Sequence, residues 1–150
     1  MEIFKKVLNT LVALLYSLVI GAGQYLLCAH TVGFVVLYLK YSGVRGSGWG
    51  LFGIIPSLIG IIGLAVIVLQ SLLWRHLLYK LCEDNHVGIL TAHIVYIIIG
   101  IATTIIMMIA IWGDSESFIQ KMIYSGCILL AVALTFGPLL LPKDCGDFDF

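Results

Sequence analysis

Histidine is the side chain of this sequence best suited to hold a metal or a haem. His30 and His93 lie within long apolar runs, and paired histidines ligate both kinds of group. If both runs cross a membrane in the same direction, the two imidazoles differ in depth by about 14 residues, or ~20 Å of helix. The sequence therefore predicts no haem or metal at this pair, and each histidine is interpreted as a packing or headgroup-facing residue.

Cysteine is the second candidate for chemistry. Cys82 and His86 have a C-x3-H spacing, which is half of a zinc site, and with Cys145 a fourth ligand is still missing. We therefore predict no metal and no cofactor. Cys82 and Cys145 adjoin apolar runs, where cysteines are palmitoylated, so they are the candidate lipidation sites. No G-x-S-x-G elbow is present, no catalytic residue is assigned, and the chain is predicted not to be an enzyme.

The stretch Thr31-Val32-Gly33-Phe34 is close to the TVGYG loop that lines potassium-channel filters. A filter needs extended backbone at membrane depth, and its second glycine follows the aromatic residue. Here Val35 stands at that position, and residues 11–30 are needed for a membrane span, which leaves no separate pore helix. The stretch is therefore interpreted as part of a helix.

Composition indicates a membrane protein. The 150 residues are 61% hydrophobic and 11% charged, with a mean hydropathy of +1.13. Soluble domains carry about 25% charged residues, so this chain lacks the polar surface needed to cover a soluble core. Eight basic residues balance eight acidic ones without a basic patch, which argues against nucleic-acid binding.

Four runs contain no Asp, Glu, Lys or Arg, and they cover residues 7–39, 46–74, 85–113 and 122–142. A spanning helix needs roughly 20 apolar residues, and these runs lack the alternation of barrel strands. We therefore predict an all-α integral membrane protein, a four-helix transmembrane bundle with short loops that forms one domain over 1–150. The predicted spans are 11–39, 51–74, 88–112 and 118–141.

The ends of these spans carry further signals. Residues 2–11 repeat apolar side chains at helical spacing, which predicts a short interfacial amphipathic helix before the first span. Ser117 with Gln120 fits a capping box at the start of the fourth span, and Gly113 follows the third.

Orientation follows from the distribution of Lys and Arg. If the N-terminus is cytoplasmic, five of these residues lie inside and three outside. Inside are Lys5, Lys6, Arg75, Lys80 and Lys143, and outside are Lys40, Arg45 and Lys121. We therefore predict a multi-pass membrane protein with both termini in the cytoplasm, without an indication of which membrane.

Small and polar residues recur along one face of each span at steps of three and four, as they do where membrane helices pack. They are predicted to face inward, either for helix packing or towards a pore. The residues are Ser17, Gly21, Gln24, Cys28 and Thr31 in span one; Gly60, Gly63 and Gln70 in span two; His93, Gly100 and Thr103 in span three; and Gly126 and Gly137 in span four.

These features predict a non-catalytic accessory subunit, assembly factor or adaptor of a larger membrane-protein complex. Its partners would be the lipid bilayer and other integral membrane proteins, or further copies of itself. One alternative is a homo-oligomeric pore lined by Ser17, Gln24 and Thr31 of span one. A second is a small lipid-handling or redox membrane enzyme that uses His30 or His93.

Overall fold

A computed structural model describes residues 1–42, 49–83 and 85–141 of the chain, with side chains described for 1–36, 61–83 and 85–141. The described residues form four α-helices and no strand. The helices are α1 (Glu2–Ser42), α2 (Trp49–Leu81), α3 (His86–Trp112) and α4 (Phe118–Leu140). Each contains a segment long and apolar enough to cross a membrane, which confirms the predicted all-α fold with four helices of membrane-spanning length.

The helix predicted over residues 2–11 runs directly into the first span, because α1 continues without a break from Glu2 to Ser42. Its 41 residues span about 60 Å, roughly twice the ~30 Å hydrocarbon core of a bilayer. Ile3, Phe4 and Val7 in these first turns are exposed.

Side-chain caps define the starts of α3 and α4. The predicted capping box is confirmed: Ser117 Oγ accepts from the Gln120 N–H at 3.4 Å, and Gln120 Oε1 accepts from the Ser117 N–H at 3.2 Å. At α3, Asn85 Oδ1 accepts from the Gly88 N–H at 3.2 Å. The α3 helix ends at Trp112 with Gly113 as its cap, as predicted, and α4 ends at Leu140.

Seen in cross-section, α1 and α4 lie at opposite corners of the bundle along its shorter diagonal. α1 packs most extensively against α3, and it also contacts α2 and α4. α4 in turn contacts α2 and α3, whereas α2 and α3 have the least contact of any pair in the described residues. Because successive spans alternate in direction, α1 runs parallel to α3, and α2 runs parallel to α4.

Two apolar clusters fill the interior at different depths. The first lies at the end of the bundle that holds Arg75, here named the Arg75 end, and includes Ala13, Leu78, Cys82 and Tyr96. The second lies towards the opposite end. It comprises Cys28, Val32, Met107, Ile128 and Ala131. The side chains that separate these two clusters are mostly polar.

Candidate functional site

The predicted face of α1 lies in the interior of the bundle. Ser17, Gly21, Gln24 and Cys28 are buried, and Thr31 is half-buried. At Gly21 a Cβ would collide with the Cδ1 end of the Ile99 side chain, so the absence of a side chain on Gly21 leaves room for Ile99 of α3. This face is used for packing within one chain.

The facing surface of α3 has the same character. Gly100 and Thr103 are buried together with Tyr96, while His93 is half-buried. A Cβ at Gly100 would stand 3.5 Å from the ring of Phe136, an ordinary van der Waals distance. The small residues of α1 and α3 therefore let these two helices meet each other and α4 closely.

On α2 the buried face is shifted by one residue from the prediction. Gly63 and Gln70 are half-buried, and Gly60 lies outside the residues whose side chains are described. Ser71 is fully buried instead, and its hydroxyl lies 2.8 Å from the Ile67 carbonyl and 2.9 Å from the Thr135 carbonyl of α4. This link was not predicted, although Ser71 lies four residues from both Ile67 and Arg75.

On α4 the predicted inward face is wrong. Gly126 is exposed and Gly137 is half-buried, and a Cβ at either would have no atom within 4 Å. The buried face carries larger side chains. These are Tyr124, Ile128, Ala131, Thr135, Phe136 and Leu139. Bulky residues fill the space that α1, α2 and α3 leave open, and the small residues remain on the outer surface.

A band of four polar residues, here named the mid-bundle polar layer, separates the two apolar clusters. It comprises Gln24, Ser71, Thr103 and Thr135, all of which are buried. Thr103 donates to the Ile99 carbonyl at 2.7 Å, and Thr135 donates to the Ala131 carbonyl at 2.6 Å. Neither Nε2 nor Oε1 of the Gln24 amide has a hydrogen-bond partner among the described residues.

Arg75 is the only charged residue that is buried among the described side chains. Arg75 is 5% exposed, its guanidinium donates to the Leu141 carbonyl at 3.3 Å, and it lies 5.9 Å from the Tyr79 ring centroid. The predicted spans contained no charged residue, but the apolar segment Ile61–Leu81 of α2 includes Arg75. A cation here stabilises the carbonyl end of α4, which carries partial negative charge.

The histidines are dispersed over the bundle. His30, His76 and His86 are exposed, and His93 is half-buried with its ring 6.4 Å from that of Tyr79. His30 lies two residues from Cys28 in the second apolar cluster, whereas His93 adjoins Ala92 in the first. Across 1–42, 49–83 and 85–141, no group of three His, Cys, Asp or Glu side chains is arranged to hold a metal ion.

Cys82 is less accessible than a lipidation site requires. Its side chain is fully buried, and its sulfur would lie 3.1 Å from a Cβ at Gly88. Burial raises the pKa of the Cys82 thiol, which lowers the fraction of nucleophilic thiolate. Palmitoylation of Cys82 therefore requires the turn between α2 and α3 to open, and Cys145 lies outside the described residues.

The outer surface carries a groove of about 390 Å³ between α3 and α4. Small residues line both walls: Gly100 and Thr104 on α3, and Ala133 and Gly137 on α4. The Thr104 hydroxyl donates to the Gly100 carbonyl at 2.9 Å, so it presents mainly its methyl group to the groove. This groove, here named the α3–α4 groove, includes the outward-facing small residues Ala133 and Gly137 of α4.

No known protein family, curated protein sequence or solved structure matches the chain. The functional proposal below therefore rests on the geometry and chemistry of the chain alone.

Proposed function

We propose that this chain is a non-catalytic subunit of a larger membrane-protein complex, serving as an accessory subunit, assembly factor or adaptor. The observation that carries the proposal is the α3–α4 groove together with the outward-facing small residues of α4, Gly126, Ala133 and Gly137. Between helices in lipid, apolar surface supplies no hydrophobic driving force, and close backbone approach at small residues supplies much of the association energy.

The shape of the groove supports a helix as the proposed occupant. Its walls are apolar, Gly100 is among its lining residues, and Ala133 and Gly137 are four residues apart on one helix face. Such small-x3-small spacing admits the ridge of another helix. The proposed occupant is a membrane-spanning helix of an unlike protein, whose larger apolar side chains would fill the groove.

The two alternatives have less support. A pore lined by Ser17, Gln24 and Thr31 would need this face of α1 to meet water, but the described packing buries it inside one chain. A lipid-handling or redox enzyme that uses His30 or His93 would need an enclosed polar site around the imidazole, but His30 is exposed and His93 packs beside the Tyr79 ring. Neither the burial of the α1 face nor the placement of the two histidines supports these alternatives.

We further propose that the Arg75 end faces the cytoplasm, with both chain termini on that side. The distribution of five Lys and Arg residues inside against three outside supports this orientation. The exposed apolar residues in the first turns of α1, such as Ile3 and Phe4, suit the headgroup region at that face.

Purification tests the complex directly. The chain is extracted in mild detergent at native expression level and analysed by native mass spectrometry. A stoichiometric unlike membrane protein is expected. A closed homo-oligomer without unlike chains would overturn the proposal and would direct attention to conductance measurements in bilayers.

A pair of variants tests the groove. Ala133→Phe fills the α3–α4 groove, whereas Ala102→Phe adds the same ring to an exposed position of α3 that does not line it. We expect Ala133→Phe to lose the unlike chain and Ala102→Phe to keep it. Retention of the partner by both variants would show that the complex forms elsewhere on the bundle.

A further inference from the structure

Gln24 is the most deeply buried side-chain amide of the described residues. It is 1% exposed, and both its amide nitrogen and its carbonyl oxygen lie out of solvent without a partner among those residues. A buried amide is stable only when it is hydrogen-bonded. Bulk water cannot supply that bond here, because it is absent from the hydrocarbon region of a membrane. The Gln24 amide therefore requires a hydrogen-bonding group other than the described side chains.

Contacts on either side fix the depth of Gln24 in the bundle. Gly21, one turn before it, lies against Ile99 of α3, and Cys28, one turn after it, lies next to the hydroxyl of Thr135 in α4. Thr103 donates to the carbonyl of Ile99, so its hydroxyl is at this depth as well. Gln24 thus lies at the level of the other residues of the mid-bundle polar layer.

The hydrogen-bond capacity of this layer is unbalanced. Thr103 and Thr135 each use their single hydroxyl hydrogen on a carbonyl of their own helix, although their oxygens can still accept a bond. The Ser71 hydrogen is likewise directed at the Ile67 and Thr135 carbonyls. The Gln24 nitrogen can find acceptors in this layer, but none of these hydroxyls has a hydrogen left for the Gln24 oxygen.

A group that both donates and accepts hydrogen bonds resolves this imbalance, and water is the smallest such group. Buried waters typically make about three hydrogen bonds to polar groups that would otherwise be unsatisfied. The apolar clusters above and below separate the layer from both membrane surfaces.

We propose that Gln24 is the anchor of an internal water site, in which water donates to the Gln24 oxygen and links its amide to the hydroxyl oxygens of Thr103 and Thr135. The site is independent of the proposed function, because it lies inside the bundle and not at the α3–α4 groove. It also gives the polar face of α1 a role without a pore.

Nuclear magnetic resonance of the full chain in micelles tests the site. The three glutamines of the sequence, Gln24, Gln70 and Gln120, are labelled selectively with ¹⁵N, and magnetisation transfer from water to their side-chain NH₂ groups is measured. We expect direct transfer from water to Gln24, although it is buried. In a second sample labelled with ¹⁵N-cysteine, we expect no such transfer to the backbone amide of Cys28 in the adjacent apolar cluster.

Assignment uses two independent routes, so that a poorly folded variant does not decide the outcome. Gln24→Met removes the amide at nearly constant length, and Gln70→Met with Gln120→Ala identifies the Gln24 signal by elimination at positions that are half-buried or exposed. Water transfer to Gln70 and Gln120 without transfer to Gln24 would overturn the proposal.

Discussion

Small residues recur on two surfaces of this bundle, and the surfaces differ in what lies opposite them. On the inner face of α1, the end of the Ile99 side chain occupies the space where a Cβ at Gly21 would stand. On the outer face of α4, Gly126 and Gly137 have open space where a Cβ would stand. The same spacing of small residues thus supports packing within the chain in one helix and remains available to a partner in the other.

The comparison also separates two kinds of polar environment. Inside the bundle, the Ser71 hydroxyl of α2 donates to the Thr135 carbonyl of α4, and both residues are buried. At the edge of α4, Ser125 accepts from the Trp112 indole N–H at 3.2 Å in an exposed hydrogen bond. Solvent and headgroups can replace a bond at the edge, but they cannot reach the interior, so equal bonds should contribute unequally to stability.

The largest difference is expected from bulk added at the two glycines. Gly21→Leu should lower the free energy of unfolding by about 1–3 kcal/mol, since the added side chain and Ile99 would compete for the same space between α1 and α3. Gly126→Leu, the matched outer variant, should change it by less than about 0.5 kcal/mol. Denaturant titration of both variants in the same detergent measures this difference, and equal losses would show that the tight approach at Gly21 is not a constraint.

The second largest difference is expected in thiol reactivity, between the buried Cys82 and a thiol introduced at the exposed position 83 beside it. In a Glu83→Cys chain, we expect maleimide to label the introduced thiol at least about tenfold faster than Cys82, because burial shields Cys82 and raises its pKa. Site-resolved mass spectrometry at a pH of about 7.5, below the ordinary thiol pKa, gives both rates from one sample. Comparable rates would indicate that the turn between α2 and α3 opens readily.

The same pKa shift has a defined sign for stability. Because burial raises the thiol pKa in the folded chain, the neutral Cys82 thiol contributes fully below the unfolded value of about 8.5. The contribution decreases as the pH rises from that value through the folded pKa. Cys82→Ala should therefore reduce the pH dependence of unfolding above a pH of about 8.5, whereas Glu83→Cys should leave it in place.

The smallest difference is expected from the two serines. Ser71→Ala should lower the free energy of unfolding by about 0.6 kcal/mol, the usual contribution of a hydrogen bond between membrane helices. Ser125→Ala should cost less, because water or headgroups replace the lost partner of Trp112. Denaturant titration with replicate precision better than the expected difference decides the order, and a larger loss at Ser125 would reverse it.

Much of the fold was predictable from local features. Runs without charged residues indicated four helices, and Ser117 with Gln120 identified the start of α4 to the residue. The inward direction of Gln24 and Thr103 was also anticipated, since polar groups on otherwise apolar helices avoid lipid. These signals depend on solvation and capping, both of which act over a few residues.

The candidate site was less predictable. The inward face of α4 was misassigned because Gly126 and Gly137 have the spacing of a packing face, and the outer face of a membrane helix is as apolar as the inner one. Hydropathy therefore gives no contrast between the two faces, unlike in a soluble bundle. The role of Ser71 was not predicted for the same reason, because polarity alone does not distinguish Ser71 from the adjacent Gln70 as the residue that faces the interior.

By itself, the sequence determined that four apolar helices form and that the polar face of α1 avoids lipid, because the solvent preference of each segment decides both. Tertiary structure decided that α1 pairs with α3, that Phe136 and Ile128 rather than the glycines of α4 fill the interior, and that a groove remains outside. Those outcomes depend on how side-chain volumes from four helices fit together, which no single helix specifies.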